Sequence, residues 1–296
     1  MILNACPACN SGDIHFALSV KDISISGETF EVWECGNCSL RFTQNAPSEE
    51  NIAPYYQSEN YISHSNTNKG LINKLYHSVK KITLNKKRKI IMNATGLSTG
   101  KILEYGAGTG AFLNTMRQAG WQVSGVEPDQ HARKNASELY HLNLLEQDAL
   151  QSFASSSFDV ITMWHVLEHV HQLNETVSQL KNLLTPNGKL IIAVPNYTSY
   201  DADHYKEFWA AYDVPRHLYH FSPASMKKLL ADHGMNTPVL LPMWFDSFYV
   251  SMLSEKYRSG SSHLPSAFFT GLKSNSQAQN NVEKCSSVIY ISSIKS

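Results

Sequence analysis

The sequence ILEYGAGTGAFL at residues 102–113 runs from a short apolar segment through three glycines into a second apolar segment. Glycine permits backbone dihedral angles that a side chain forbids, and it lets the backbone approach a ligand closely. A glycine turn that joins a strand to a helix is typical of α/β proteins that bind nucleotides. This stretch therefore predicts a strand, a loop that holds a nucleotide-like cofactor, and a helix.

Strands and helices alternate along the rest of the chain. Apolar runs predict strands at residues 102–103, 123–126, 160–163, 190–194 and 288–291. Helical spacing predicts helices at residues 111–119, 130–139, 173–184 and 223–233. This alternation predicts an α/β fold, in which helices cover both faces of a largely parallel sheet.

Two glutamates flank the glycine turn and limit the kind of cofactor. Glu104 precedes Gly106 by two residues, where its charge would repel a pyrophosphate and attract a cation. Glu127 ends the next predicted strand, where a carboxylate can accept hydrogen bonds from ribose hydroxyls. Gly106, Gly108 and Ala111 also satisfy the dinucleotide fingerprint, so an NAD-dependent oxidoreductase stays open as an alternative.

The sequence resembles the class I S-adenosylmethionine-dependent methyltransferases over about residues 101–196. Their first motif, E/D-x-G-x-G-x-G, is matched by Glu104, Gly106, Gly108 and Gly110. Later matches are VEPD at 126–129, QDA at 147–149, FDVI at 158–161 and PNGKL at 186–190. The segments HVLEHV at 165–170 and YDVPRHLYHF at 212–221 resemble the subgroup called type 23.

This resemblance implies a Rossmann-like, seven-stranded, doubly wound sheet that binds S-adenosylmethionine. In it Glu104 would bind the amino group of the cofactor, Glu127 the ribose, and Trp164 with His165 would face the methionine and the substrate. The cofactor-binding residues that it implies are Glu104, Gly106, Gly108, Gly110, Glu127, Pro128, Asp148, Ala149, Trp164 and His165. Asp148 and Ala149 would contact the adenine, although Asp148 is also explained as a cap of a helix or turn.

Three histidines are candidates for a general base. Methyl transfer requires a base only when the acceptor is a hydroxyl or an acidic carbon, and histidine suits that task at neutral pH. His165 and His217 are the first candidates, and His220 is the third. The aromatic segment 197–221 is predicted to be a lid over the methyl donor. Its substrate-side candidates are Trp209, Tyr212, Asp213, Arg216, His217 and His220, unless Asp213 and Arg216 simply pair and hold the loop.

The element His165-x-x-Glu168-His169 matches an inverted zinc-protease motif. It follows a predicted buried strand of a cofactor-binding sheet, which is the wrong context for that hydrolase. We therefore favour the interpretation that Glu168 and His169 cap and orient the next helix, and leave open whether the element binds a metal.

Four of the five cysteines form two pairs near the N-terminus, Cys6 with Cys9 and Cys35 with Cys38. Two C-x-x-C knuckles at this separation predict a zinc ribbon, in which four thiolates hold a structural zinc ion. Such a closed site leaves no position for a substrate, so the zinc would stabilise the segment. No role is assigned to Cys285.

Composition limits the partners and the number of domains. The 296 residues contain 25 Lys plus Arg and 25 Asp plus Glu, so no net charge attracts nucleic acid or a membrane surface. The basic run at residues 86–89 is interpreted as a solvated helix face. We expect a zinc ribbon at 1–45, a linker with N-terminal helices at 46–95 and a catalytic domain at 96–296.

These features predict a cytoplasmic enzyme that methylates a small molecule such as a sugar, a lipid precursor or another metabolite. No nucleic acid and no membrane span are expected among its contacts, and nothing in the sequence indicates the oligomeric state. A catalytically idle fold that serves as a binding module is a further alternative.

Overall fold

The computed structural model describes residues 2–56, 71–261 and 263–295, and for residues 71–80 it describes the backbone alone. The strands are β1 (Ile14–Lys21), β2 (Thr29–Cys35), β3 (Arg41–Thr43), β4 (Lys101–Tyr105), β5 (Gln122–Val126), β6 (Phe158–Trp164), β7 (Leu184–Pro195), β8 (Tyr219–His220), β9 (Val239–Pro242) and β10 (Ser287–Ser292). The helices are α1 (Leu71–Thr95), α2 (Ala111–Gln118), α3 (Gln130–Tyr140), α4 (Leu173–Leu183), α5 (Tyr200–Tyr205), α6 (Pro223–Asp232), α7 (Asp246–Ser259) and α8 (Leu264–Asn280).

The main sheet has the strand order β5-β4-β6-β7-β10-β9. Strand β4 is parallel to β5 and to β6, whereas β9 is antiparallel to β10. The predicted α/β Rossmann-like fold is confirmed, and each predicted strand and helix listed from the sequence corresponds to one of these elements.

The predicted number of seven strands is wrong for the described residues, whose main sheet has six. Beside β5 the chain makes a single parallel bridge, between Leu145 and Val126. Leu145 donates to Gly125 O and accepts from Glu127 N, each at 2.9 Å. The chain then enters a 3-10 helix at Gln147–Ser152, so the ladder ends before a seventh strand forms.

The chain divides into two compact units, and α4, β6 and β7 contribute residues to both. The first, called the glycine-loop unit, comprises Asn60–Met163 and Gln179–Ile191. In it Ile102 and Leu103 of β4 are fully buried, as are Leu113 and Met116 of α2. The apolar residues of α2 recur at the spacing of one helix face, which explains why that face is buried.

The second unit, called the ribbon unit, comprises Met1–Glu59, Trp164–Ser178 and Ile192–Lys295. Its sheet has the order β1-β2-β3-β8, so the predicted ribbon gains a strand from the predicted lid. Arg41 of β3 pairs with His220 of β8, and Phe42 pairs with Tyr219. Four aromatic side chains of the predicted lid are buried with Phe30 and Val32 in one apolar cluster: Tyr197, Tyr205, Trp209 and Tyr212.

The predicted domain boundaries at 45 and 95 stay predictions. Helix α1 occupies the region where N-terminal helices were expected, and residues 57–70 of the predicted linker lie outside the described residues. Among the described helices, none has both the length and the apolar character needed to cross a membrane.

Candidate functional site

Glu104 is a buried carboxylate in β4, with 4% of the residue exposed. Burial raises its pKa to about 8, the positive charge of Lys87 opposes this shift, and the negative charge of Glu127 adds to it. Within the described part of the chain, its Oε2 atom has no hydrogen-bond partner. Because an unpaired buried carboxylate is costly, the position suits a bound cation.

The glycine turn lies between β4 and α2, and each of its glycines has a positive φ. The Gly108 amide donates to Glu127 Oε2 at 2.7 Å, and the Asp129 amide donates to Glu127 Oε1 at 3.0 Å. These bonds fix the Glu127 carboxylate against the turn. A Cβ atom on Gly108 would meet nothing within 4 Å, whereas one on Gly110 would lie 2.9 Å from Leu142 Cδ1.

Lys87 was missed by the sequence analysis, which assigned residues 86–89 to a solvated helix face. Its Nζ atom lies 5.9 Å from the centre of the Phe112 ring in α2, and its charge acts on Glu104. The helix spacing did not reveal this contact because Lys87 and Phe112 are far apart in sequence.

The remaining predicted cofactor residues of the glycine-loop unit lie nearer the surface. Pro128 and Asp148 are exposed, and Ala149 is half-buried. Asp148 lies in the 3-10 helix Gln147–Ser152, where the Ala149 amide donates to Glu146 O at 3.1 Å. The cofactor-binding role of Pro128 and the assignment of Asp148 and Ala149 to the adenine stay predictions.

His165 follows β6 directly, after the buried Trp164. Its Nε2 lies 3.0 Å from Asp246 Oδ2, and its Nδ1 lies 3.5 Å from Glu168 Oε1. Burial favours the neutral ring, but the two carboxylates outweigh it and raise the pKa of His165 to about 10. His165 is therefore protonated at neutral pH. No local pattern indicated a role for Asp246, which begins α7.

A second group joins Glu168, His169 and His217, with one potential ligand atom of each within 4.8 Å of the others. The two imidazole rings meet edge to face, with their centres 4.6 Å apart. Burial and the charge of His217 lower the pKa of His169 to about 4. Among the described residues neither side chain bonds an amide of α4: Glu168 Oε1 faces His165 Nδ1 at 3.5 Å, and His169 Nδ1 faces Arg216 O at 3.0 Å. The favoured capping interpretation is therefore wrong.

Arg216 holds the predicted lid by buried ion pairs. Its NH2 atom lies 2.6 Å from Asp213 Oδ1 and 3.1 Å from Asp22 Oδ1, and its side chain is 1% exposed. This is the structural alternative considered for Asp213 and Arg216. Asp22, from the turn after β1, was missed because nothing in the local pattern connects it to Arg216.

The other substrate-side candidates of the predicted lid are bonded within the ribbon unit. Trp209 Nε1 donates to Asp201 Oδ2 at 2.8 Å, and Arg41 donates to the Tyr212 hydroxyl at 2.9 Å. His220 is buried, and its Nε2 lies 3.1 Å from Thr43 Oγ1. Burial and the charge of His217 hold the pKa of His220 well below its ordinary value.

The four N-terminal cysteines converge, with all four sulfurs within 4.8 Å of one another. Cys6 Sγ lies 3.5 Å from Cys38 Sγ, and Cys9 Sγ lies 3.6 Å from Cys35 Sγ. Sulfurs bound to a tetrahedral zinc ion at about 2.3 Å would be about 3.8 Å apart, so the cluster fits zinc. The predicted four-cysteine cluster is confirmed. Cys285 lies elsewhere, and burial raises its pKa to about 11.

The known proteins to which this chain is similar in sequence include methyltransferases. An uncharacterized methyltransferase of Alkaliphilus oremlandii is 29% identical over 110 residues, which are 36% of this chain and 50% of that protein. One of Bacillus cereus is 29% identical over 117 residues, which are 38% and 55% of the two chains. This chain therefore spans about half the length of the curated relatives that it matches.

Solved structures share the fold at low sequence identity. A putative sarcosine dimethylglycine methyltransferase from Galdieria sulphuraria has a TM-score of 0.51 and 14% identity, and the match covers 75% of this chain and 88% of that chain. A chain from the complex between the Haloferax volcanii Trm112 methyltransferase activator and the putative methyltransferase has a TM-score of 0.50 and 13% identity. That match covers 72% of this chain and 96% of that one.

The family model described as "Methyltransferase domain", of type 23, matches residues 79–237, just over half of the 296 residues. This range includes the glycine turn, both glutamates and the histidine cluster. The chain belongs to this family of methyltransferase domains.

Proposed function

We propose that the protein transfers a methyl group from S-adenosylmethionine to a small-molecule acceptor. The observation that carries the proposal is Glu104, a buried carboxylate with an unpaired oxygen beside a glycine turn. S-adenosylmethionine has no phosphate and carries an ammonium and a sulfonium, so it would compensate this carboxylate. When bound, it supplies an electrophilic methyl group.

The residues of the chain supply binding and alignment. Glu104 would hold the amino group, and the fixed carboxylate of Glu127 would accept hydrogen bonds from the ribose. The open space at Gly108 would let the cofactor approach the backbone. Transfer is an in-line displacement, so the rate depends chiefly on how firmly these contacts align acceptor and donor.

The three histidines proposed as general bases differ in their readiness to accept a proton. His165 is already protonated at neutral pH, and about a third of its side chain is exposed. We propose that its cationic ring attracts an acidic or anionic acceptor group. The base role of His217 and His220 stays a prediction, and a nitrogen acceptor would require no base.

The cysteine cluster is proposed to hold structural zinc. Four thiolates satisfy a tetrahedral ion and leave no open position for a substrate. Cys35 belongs to the cluster and is the last residue of β2, so the ion would fix the end of the strand that pairs with β3.

Two alternative functions make different predictions. An NAD-dependent oxidoreductase would need the pyrophosphate to lie beside the Glu104 carboxylate, which repels it. A catalytically idle binding module would have no need for a buried acidic group at the glycine turn. Glu104 therefore favours an active methyl-donor site over both alternatives.

A methyl-labelling experiment tests the proposed function. The full chain is incubated with methyl-labelled S-adenosylmethionine and fractionated cell extract, and labelled products are identified by mass spectrometry. We expect one labelled small molecule that is missing when Glu104→Gln protein is used. The absence of any enzyme-dependent label in every fraction would argue for the idle binding module.

The raised pKa of Glu104 predicts that cofactor binding depends on pH. Below pH 8 the free protein carries a proton on Glu104 that the ammonium must displace. Affinity should therefore fall about tenfold per pH unit as the pH is lowered from 7.5 to 6, with release of about one proton on binding. Calorimetry in buffers of different ionisation enthalpy measures this release. A binding heat that is independent of the buffer would contradict the assignment.

Two glycine substitutions should separate binding from folding. In Gly108→Ala the new methyl group meets no protein atom, so we expect a loss of stability of only about 1 kcal/mol from the left-handed backbone. The methyl group would occupy the space assigned to the cofactor and abolish detectable binding. Gly110→Ala should mainly lower the melting temperature, because its Cβ would press on Leu142 and Ala136. Thermal melts and cofactor titrations of both variants check this contrast, and an unchanged affinity in Gly108→Ala would contradict it.

A further inference from the structure

We propose that Glu168, His169 and His217 bind a divalent transition-metal ion at a site separate from the four cysteines. One potential ligand atom of each residue lies within 4.8 Å of the others, so small side-chain movements would bring all three to about 2.1 Å from a single ion. The sequence places the first two residues next to each other but gives no indication that His217 joins them. The inference is independent of the proposed methyl transfer.

Hydrogen bonds to backbone carbonyl oxygens orient both imidazole rings. His217 Nδ1 lies 2.8 Å from Ala211 O, and His169 Nδ1 lies 3.0 Å from Arg216 O. A carbonyl oxygen only accepts, so each Nδ1 carries a proton, and in the neutral ring Nε2 then has the lone pair that a metal needs. His217 Nε2 also lies 3.9 Å from Asp213 Oδ2. A histidine that donates one ring nitrogen to a backbone carbonyl and binds a metal through the other is the usual arrangement at metal centres. The Tyr56 hydroxyl, 3.1 Å from His169 Nδ1, accepts from the same proton.

Glu168 supplies the negative charge that a cation requires. It is 0% exposed, and neither carboxylate oxygen has a hydrogen-bond partner among the described residues. His165 Nδ1 lies 3.5 Å from Oε1 and partly balances the charge. An ion bound to the carboxylate would satisfy the oxygens directly, which explains how a fully buried acid is tolerated.

The backbone around the cluster keeps the three ligands in place. The Leu218 amide, next to His217, donates to Glu168 O at 2.8 Å, which ties the two segments together. Arg216 is fixed by Asp22 and Asp213, so the carbonyl that orients His169 is also fixed. These contacts hold the backbone that carries the three ligands.

The donor set indicates the class of ion. Two imidazoles and one carboxylate favour Zn²⁺, Fe²⁺ or a similar ion over Mg²⁺ and Ca²⁺, which prefer oxygen ligands. Three protein ligands leave at least one coordination position for water or for an oxygen of a substrate. A bound ion would occupy the lone pair of His217 and exclude this residue as a general base.

Metal content of the full chain tests the site. Protein equilibrated by dialysis against excess Zn²⁺ should hold about two ions per chain, one at the cysteines and one at the new site. Glu168→Gln and His217→Gln should each hold about one. His171→Gln is the matched control, because His171 neighbours the element without belonging to the cluster, and it should retain about two.

The visible spectrum of Co²⁺ bound to the wild-type protein tests the site even if a variant fails to fold. Adding Co²⁺ to the wild-type protein with zinc at its cysteines should produce visible d–d bands without thiolate charge transfer, since the new ligands are nitrogen and oxygen. A wild-type protein that holds one Zn²⁺ per chain and gives no such bands would overturn the proposal. Folded Glu168→Gln and His217→Gln proteins that both keep two ions would also overturn it.

Discussion

Replacing Glu104 with glutamine is expected to weaken S-adenosylmethionine binding about 1,000-fold, which corresponds to about 4 kcal/mol. Glutamine keeps the shape of the side chain but cannot balance the ammonium of the cofactor. The cost is large because Glu104 is 4% exposed, so water would screen the lost charge pair very little. The variant should fold about as stably as wild type, since Glu104 carries a proton in the free protein below pH 8 and glutamine is a neutral side chain of similar shape.

Calorimetric titration of the full chain measures this loss, and a thermal melt confirms that the variant is folded. Glu138→Gln is the matched control: it removes an exposed carboxylate from α3, and the dissociation constant should stay unchanged. A folded Glu104→Gln protein with wild-type affinity would mean that this carboxylate does not touch the cofactor.

Removing the zinc ligands is expected to have the largest effect on folding. Structural zinc contributes on the order of 10 kcal/mol to the folding of small zinc domains. In the variant with Cys6→Ser and Cys9→Ser, two of the four thiolates are lost, and β1 to β3 should unfold. Because β3 pairs with β8, the segment around Tyr219 and His220 should lose its protection as well.

Zinc analysis, thermal melts and limited proteolysis check this result. The variant should lose the cysteine-bound zinc, melt at a lower temperature and be cleaved in both residues 1–45 and 197–221. Cys285→Ala is the control, because it removes a cysteine that lies outside the cluster, and its zinc content should not change. Wild-type melting behaviour in the cysteine variant would show that the cluster does not stabilise the fold.

Local patterns were sufficient to predict the glycine turn, the strands around it and the cluster of four cysteines. A turn that needs positive φ at Gly106, Gly108 and Gly110 leaves a direct mark on the sequence. The four cysteines are equally visible, because a C-x-x-C pair brings two ligands together by its own short loop. In these cases the physical cause acts over a few residues.

The missed features depend on contacts between distant parts of the chain. His165 with Asp246, Asp22 with Arg216, and the pairing of β3 with β8 join residues that no periodicity connects. The prediction of a seventh strand was wrong for a related reason. Apolar residues near Leu145 suit a strand, but of these only Leu145 forms a bridge to β5 before the 3-10 helix begins. Tertiary packing, rather than local sequence, determines these contacts and the number of strands.

The lid at residues 197–221 stays a prediction, and its aromatic composition has a second explanation. An unusually aromatic connection at 197–221 predicted a cover for the methyl donor, but aromatic side chains are equally suited to a core. Trp209 and Tyr205 are each 1% exposed within the apolar cluster of the ribbon unit. Composition alone could not distinguish a lid that closes over a ligand from a segment that packs against β2.

The most direct test of the account is calorimetric titration of the full wild-type chain with S-adenosylmethionine and, in parallel, with NADH. The buried Glu104 carboxylate predicts a saturable heat with the methyl donor and none with the dinucleotide. Heat with NADH and none with S-adenosylmethionine would contradict the assignment of the glycine turn to a methyl-donor site.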